Sequence, residues 1–391
     1  MKEISKLYLK AGKEKSIQHF HPWIFSGAVQ HEAPGIEEGE LVEVYSSGKE
    51  FLGTGTYHKG SIKVRILSFK KTECGPVFWE EKLTNAFELR KHLGLSGKSD
   101  TTMFRLVHGE GDGLPGLIID IYNDCAVIQA HTRGIENFIP EICEALKKIS
   151  GLAIQTVYHK FTDSVNKETE TSGRFLYGST VETVSLENGI KFYINWEEGQ
   201  KTGFFLDQRE NRKLLGSYAP GKKVLNTFSY SGGFSMYACK SGASIVHSVD
   251  SSLKAANWAG KNAELNSFNN HEFFTSDVFD HFGSSEEQYD IIILDPPAFA
   301  KHLSAAERAA KGYRNLNTEG FRRVKKGGML FTFSCSQVID KLLFRKIVFQ
   351  AAAQSRRKVR ILHQLSQGPD HPVNIYHPEG EYLKGIVLYV E

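Results

Sequence analysis

Short apolar runs divide the chain into three stretches with different rhythms. Residues 1–70 hold many brief runs of β character: Leu7–Leu9, Leu41–Tyr45, Phe51–Tyr57 and Ile62–Leu67, with Gly39, Gly48 and Gly60 at the turns. So many strands in so few residues predict a small β-barrel. The stretch His21-Pro22-Trp23-Ile24-Phe25-Ser26-Gly27 is expected to give that core a large aromatic. Residues 71–190 mix periods: helices over 78–93 and 136–148, strands over 117–122 and 153–159, and a glycine-rich turn from Gly109 to Gly116. They predict an α+β insert. No helix follows that turn directly, so it is not read as a phosphate cradle.

From about residue 191 to 391 strand-like and helix-like segments alternate, the pattern of a parallel, doubly wound α/β sheet. Strands are expected over 223–227, 244–249, 272–275, 289–294, 328–334, 359–364 and 385–390, with helices from near Ser235 and over 344–354. The clearest run is Tyr289-Asp290-Ile291-Ile292-Ile293-Leu294. Asp295-Pro296-Pro297 ends it, since proline cannot continue a sheet ladder. Asp295 therefore leaves the sheet at a strand's carboxyl end, the edge where ligands sit in open α/β sheets.

Composition changes this picture little. The 391 residues are 40% hydrophobic and 24% charged, with a net charge of +3, so any nucleic-acid contact must come from local patches. No apolar run reaches transmembrane length and no signal-peptide core follows Met1, so a cytoplasmic protein without membrane contact is expected. The five cysteines, Cys74, Cys125, Cys143, Cys239 and Cys335, are scattered, odd in number and without metal-ligand spacing. Free thiols and no metal are the expectation. Lys13, Lys15, Lys59, Lys63 and Arg65 read, on charge alone, as a solvated face of the barrel.

The strand tips carry the candidate chemistry. After the 223–227 strand, Phe228-Ser229-Tyr230-Ser231-Gly232-Gly233-Phe234 lets a ligand approach the backbone near a helix N-terminus. Asp250 follows Gly232 by 18 residues, a spacing suited to a ribose hydroxyl pair. Its plainer role is a helix cap shared with Ser251 and Ser252. Asp277, past the next strand, is placed for an adenine amine. A dinucleotide and S-adenosylmethionine compete for such a site. The loop lacks Gly-x-Gly-x-x-Gly and a row of N–H groups for a pyrophosphate, which favours S-adenosylmethionine. Phe333-Ser334-Cys335-Ser336 ends the neighbouring strand, so Cys335 and Asp295 should share one crevice. A thiolate adding to C6 of a pyrimidine makes C5 nucleophilic enough to take a methyl group, and a carboxyl such as Asp295 can protonate N3 of cytosine. Phe299 is a candidate stacking ring for the extruded base, or a ring packed on the sheet. His371, His377 and Glu379 are candidates for the base that removes the C5 proton.

Taken together these residues resemble the bacterial 23S ribosomal RNA cytosine-5 methyltransferases that carry an N-terminal PUA domain. The resemblance rests on His21–Phe25, Gly53-Thr54-Gly55, Gly109–Leu117, Gly203–Arg209, Phe228–Phe234, Asp295-Pro296-Pro297, Phe333–Ser336, Asp370-His371-Pro372 and Pro378–Gly385. It implies a class I methyltransferase (Rossmann-like) domain over 191–391, behind a PUA barrel and the α+β insert. It implies Cys335 as nucleophile with Asp295 as its catalytic partner. Cofactor contacts then fall to Asp207, Gln208, Arg209, Asn226, Phe228, Tyr230, Gly232, Gly233, Asp250, Asp277 and Asp295, and substrate contacts to Pro296, Pro297, Phe299, Lys63 and Arg65. Read from the residues alone, the 207–212 segment would be a helix start capped by Asp207, with Arg212 in solvent. By resemblance the basic barrel face becomes an RNA surface, and the partner is 23S ribosomal RNA or a large-subunit precursor. Whether a homodimer forms stays open. Competing readings are methylation of uridine C5 or a purine nitrogen, and a non-catalytic RNA-binding scaffold.

Overall fold

The computed structural model describes residues 4–97, 100–165, 172–300 and 302–391. The chain divides into two compact units. The first comprises residues 1–185, 194–206 and 369–380, and the second residues 186–193, 207–368 and 381–391.

The first unit opens with β1 (Ser5–Leu9), α1 (Lys15–Gln18), β2 (Trp23–Phe25), β3 (Val29–Glu32), β4 (Leu41–Tyr45), β5 (Phe51–Tyr57) and β6 (Ile62–Ser68). They form one six-stranded sheet, ordered β2-β6-β5-β4-β1-β3. Ile24 of edge strand β2 and Val29 of the opposite edge strand β3 meet in the same core with Leu7, Val42, Val44 and Val64, so the sheet wraps round itself. The core residue of the His21–Gly27 stretch is Ile24, 2% exposed, and not the aromatic expected there. Trp23 is half-buried because its indole N–H points to the Glu110 carboxylate, 2.9 Å away, and its ring lies 4.3 Å from that of His377.

Then come α2 (Pro76–His92), β7 (Met103–His108), β8 (Leu117–Tyr122), β9 (Cys125–Ala130), α3 (Arg133–Glu136), α4 (Ile139–Lys148), β10 (Thr156–Lys160) and β11 (Gly173–Tyr177). The five strands make a sheet ordered β11-β10-β9-β8-β7, and residues of α2 and α4 join its apolar core. The helix expected over 136–148 is α4, which starts at Ile139 with Pro140 in its first turn; the short α3 precedes it, and the two do not join because Pro140 has no N–H to return to Glu136.

The glycine-rich turn has a structural task. Its Asp112 takes both ends of the Arg90 guanidinium, whose side chain is fully buried on the apolar face of α2. Arg90 also donates to the carbonyls of Arg105 and Asp370 at 2.7 and 2.8 Å. Asp370 in turn accepts the Arg105 N–H, so its motif is part of this buried network. Asp112→Ala would leave a buried cation unpaired. A loss of about 3–5 kcal/mol is expected in urea unfolding of the first unit's transition.

The second unit contains α5 (Arg209–Tyr218), β14 (Lys223–Thr227), α6 (Gly233–Lys240), β15 (Ile245–Asp250), α7 (Leu253–Leu265), β16 (His271–Thr275), α8 (Val278–Ser284), β17 (Tyr289–Leu294), α9 (Ala306–Arg323), β18 (Val324–Ser334), α10 (Lys341–Gln354), β19 (Val359–Leu365) and β20 (Lys384–Val390); β12 (Glu182–Glu187) and β13 (Ile190–Asn195) precede them. Its seven strands are ordered β16-β15-β14-β17-β18-β20-β19. The first five run parallel, and β20 is antiparallel to both neighbours. Ile291–Leu294 are buried on both faces, as an unbroken aliphatic run requires. Strand order reverses between β14 and β17, so a crevice opens at their carboxyl ends.

Candidate active site

The loop after β14 is held in an unusual backbone. Phe228 and Tyr230 adopt left-handed φ values of 53° and 47°, and Gly232 follows at 79°. A left-handed non-glycine residue costs about 1–3 kcal/mol and clusters at sites where geometry is used. The loop is braced from β15. Asp250 accepts the Tyr230 N–H at 2.9 Å and the Ser252 N–H at 3.0 Å. Asp250 is thus no helix cap. Ser252 caps α7 through the Ala255 N–H. Asn226 donates to Ser235 on α6, and Ser235 meets Ser248 on β15 at 2.6 Å, tying the strand to its helix below the loop. Gly232 precedes α6 and Gly233 begins it, so the helix's electropositive end meets the loop.

Asp277 caps α8, taking the Phe279 N–H at 2.8 Å and the Asp280 N–H at 3.3 Å with one oxygen. The adenine contact expected of it would use what remains of that carboxylate.

The 207–212 segment differs from its reading as a capped, solvated helix start. The cap position of α5 is Gln208, not Asp207, and Tyr382 donates to the Asp207 carboxylate at 2.7 Å. Arg212 is 2% exposed, because Glu187 grips its guanidinium with two bonds of 2.8 Å. Arg209 is equally buried, 3.5 Å from the same carboxylate. Gln208 reaches across to Asp295, donating to Oδ2 at 2.9 Å, and is itself held by Asn211 at 2.6 Å. The segment therefore positions the Asp295 carboxylate.

Asp295 stands one residue past β17 and is half-buried; Pro296 is buried and Pro297 exposed. Cys335 stands one residue past β18, its thiol 4.0 Å from the Pro296 carbonyl. Cys335 alone of the five cysteines is not buried. Burial pushes the thiols of Cys125 and Cys239 up to about 12 and that of Cys74 up to about 11, well into the inert range. The two tips expected to share a crevice do meet: the Asp-Pro-Pro turn and the Cys335 thiol are neighbours.

Two further groups at this point escaped the sequence reading. Lys384 lies opposite Ser334 in the β18–β20 ladder, and its ammonium donates to the Ser336 carbonyl at 2.7 Å and the Tyr382 carbonyl at 2.6 Å. Its side chain therefore runs alongside Cys335. Burial lowers its pKa to about 8 against the pull of the Cys335 charge. The signal was a lysine opening an otherwise apolar run, Leu383-Lys384-Gly385-Ile386-Val387-Leu388. The second is Tyr313 of α9, fully buried, its hydroxyl near Ser334 and the Phe299 backbone and within electrostatic reach of Cys335 and Asp295. Phe299 rests on the Tyr313 ring, centroids 4.6 Å apart, and against Gly312. That packing gives the ring a fixed place in the loop.

His371 and His377, candidates for a proton-removing base, have partners within the first unit. His371 contacts Asp370 at 3.2 Å and the His108 ring; His377 packs on Trp23. Lys63 of β6 is bound to Tyr57 and Glu32, whereas Arg65 lies over the Trp23 ring.

The cofactor can be tested against the loop itself. Ser229 and Ser231 each keep a buried hydroxyl with no hydrogen-bond partner among the described residues. Those orphaned hydroxyls, the strained backbone and the Asp250 carboxylate suit a nucleoside with a short charged tail. They do not suit a pyrophosphate. Fold and site together define an S-adenosylmethionine-dependent methyltransferase: residues 124–374 match that family, and residues 7–69 match the PUA-like domain. A curated relative, "Ribosomal RNA large subunit methyltransferase I" of Aeromonas salmonicida, is 38% identical over 98% of both chains. The chain belongs to the ribosomal RNA large subunit methyltransferase I family. Among solved structures, a SAM-dependent methyltransferase from Streptococcus mutans aligns with a TM-score of 0.84 at 26% identity, covering 98% of this chain and 100% of that one. A methyltransferase solved with SAH aligns at 0.85 with the same identity and coverage.

Among the described residues no helix is long and apolar enough to cross a membrane.

Proposed function

We propose that the chain methylates C5 of a cytosine in 23S ribosomal RNA through a covalent bond between Cys335 and C6. The observation that carries this reading is the half-exposed Cys335 thiol beside the Asp295-Pro296-Pro297 turn, in a chain whose other four thiols are buried. Methylation of an amine nitrogen needs no thiol. The relatives' name supports ribosomal RNA as substrate, as does the PUA-like domain.

Bound S-adenosylmethionine supplies an electrophilic methyl group. Lys384, in its neutral form, takes the thiol proton. The Cys335 thiolate then bonds to C6, and the electron pair of the C5–C6 double bond moves toward C5. Asp295, oriented by Gln208, gives a proton to N3 as charge develops there. With the cofactor bound, C5 would bond to the methyl carbon as the carbon's bond to the cofactor sulfur breaks and that sulfur keeps the electron pair; C5 then gives its proton to solvent water. The S–C6 bond breaks, the double bond reforms, and N3 returns its proton to Asp295. Pro296 and Phe299 border the place the extruded base must occupy.

Asp250 braces the loop and is the candidate ribose partner. Asp250→Ala is expected to weaken S-adenosylhomocysteine binding by at least about tenfold in calorimetry, matching about 1.5–3 kcal/mol for bonds to a charged group. An unchanged affinity would remove Asp250 from the cofactor site. The substrate atom is tested by nucleoside mass analysis of ribosomal RNA from a strain lacking the gene. Loss of 5-methylcytidine is expected. Loss of 5-methyluridine or a methylated purine would replace this reading.

A further inference from the structure

We propose that a cavity in the first unit binds one phosphodiester-linked nucleotide of the substrate RNA, with Arg65 and Arg133 taking the phosphate and His131 meeting the base. The inference rests on ribosomal RNA being the substrate, as argued above. The cavity, about 450 Å³, lies between the β5–β6 turn of the wrapped sheet and two loops of the insert. That volume falls within the roughly 300–1,000 Å³ typical of small-ligand sites. Its polar lining includes Glu38, His58, Arg65, His131, Thr132 and Arg133.

Its walls are fixed. Gly134, directly after Arg133, lies flat on β5, where an added Cβ would come 2.4 Å from Thr56 Cβ. Asn137 donates to the Gly39 carbonyl at 3.3 Å, and Thr132 caps α3 through the Ile135 N–H. The loop carrying His131 and Arg133 is therefore clamped to the sheet.

The charges are arranged for an anion. Arg65 is half-buried, and its guanidinium makes no hydrogen bond or ion pair with any described residue; it lies 5.8 Å from the Trp23 ring and feels the Glu110 and Glu38 carboxylates only through space. Arg133 likewise has no side-chain partner among the described residues. A guanidinium half withdrawn from water and left unpaired is costly unless a ligand completes it. The one acid in the lining, Glu38, is occupied by the His58 ring at 2.9 Å and the Lys59 N–H at 2.6 Å. Burial lowers the pKa of His58, which leaves it neutral at pH 7. The lining then carries one net positive charge, the complement of one phosphodiester. His131, open to solvent at the cavity's edge, offers an aromatic face and a ring nitrogen to a base. Lys63, two residues from Arg65 on the same strand, is already bound to Tyr57 and Glu32 and has no such vacancy.

The test is binding of a 23S ribosomal RNA fragment over a salt series by wild type, Arg65→Gln, Arg133→Gln and, as a control, Lys147→Gln, a lysine paired with Glu144 and outside the cavity lining. Each arginine variant should weaken binding about tenfold and reduce the slope of log K against log salt by about one, as a lost phosphate contact does. Lys147→Gln should change binding less than about twofold. Arg133 is exposed, so its variant tests the site even where Arg65→Gln fails to fold; thermal melting and S-adenosylhomocysteine binding identify that case. Unaltered affinity and slope in Arg133→Gln and in folded Arg65→Gln would overturn the cavity and leave the substrate reading intact. A wild type that binds no ribosomal RNA fragment would overturn both.

Discussion

Cys335→Ala should abolish the covalent protein–RNA band formed with cofactor and 5-fluorocytosine-containing RNA, and should lower methyl transfer on the order of 10⁴-fold or more. The fluorine at C5 cannot leave as a proton does, so the adduct is trapped after the methyl group has moved. Cofactor affinity should be unchanged, because Cys335 ends β18, whereas the loop that fits the cofactor follows β14 and is braced from β15. Full activity in Cys335→Ala would exclude the thiol route and move the reading to a nitrogen target. A band that survives the substitution would place the adduct on another residue. Every other cysteine is buried, so the result would be hard to reconcile with this fold.

Lys384→Met should lower activity about 100-fold or more at neutral pH, the lower range for loss of a positioned base. The sign with pH follows from the lysine's surroundings. Burial lowers its pKa from 10.5 to about 8, so near pH 7 the amine is mostly protonated, and the neutral form grows as pH rises through 8. Wild-type activity should climb over that interval and then level off. In Lys384→Met that rise should vanish. Lys384→Arg, which keeps the charge but cannot give it up, should not restore it. Alkylation of Cys335 by iodoacetamide, followed by mass spectrometry, should slow in both variants, which separates an effect on the thiol from damage to RNA binding. An unaltered pH profile in Lys384→Met would show the amine to be a structural bridge between the Ser336 and Tyr382 carbonyls and nothing more.

The parallel half of the second sheet could be read almost residue by residue, because strands buried on both faces leave unbroken aliphatic runs and Asp-Pro-Pro must end one. The adjacency of Asp295 and Cys335 followed from the same logic, since both sit just past neighbouring strands. What stayed hidden depends on contacts distant in sequence. Arg212 looks like any surface arginine until Glu187, 25 residues away, meets it in the interior. Gln208 carries no local sign that its amide holds Asp295, 87 positions on. Lys384 was seen within a motif, but its role depends on the antiparallel register of β20 against β18. The break before α4 could have been seen at Pro140. The strained backbone at Phe228 and Tyr230 could not, since neither residue type favours a left-handed conformation.

The late insertion of β20 has a consequence for how the enzyme comes into being. β18 and β19 both precede β20 in the chain, yet β20 lies between them. While the polypeptide is being made, β18 keeps a bare margin of unpaired amides and carbonyls until β20 arrives to fill the gap. The same event delivers Lys384 to Cys335. A nascent chain thus carries the proposed nucleophile for some time without the amine proposed to take its proton.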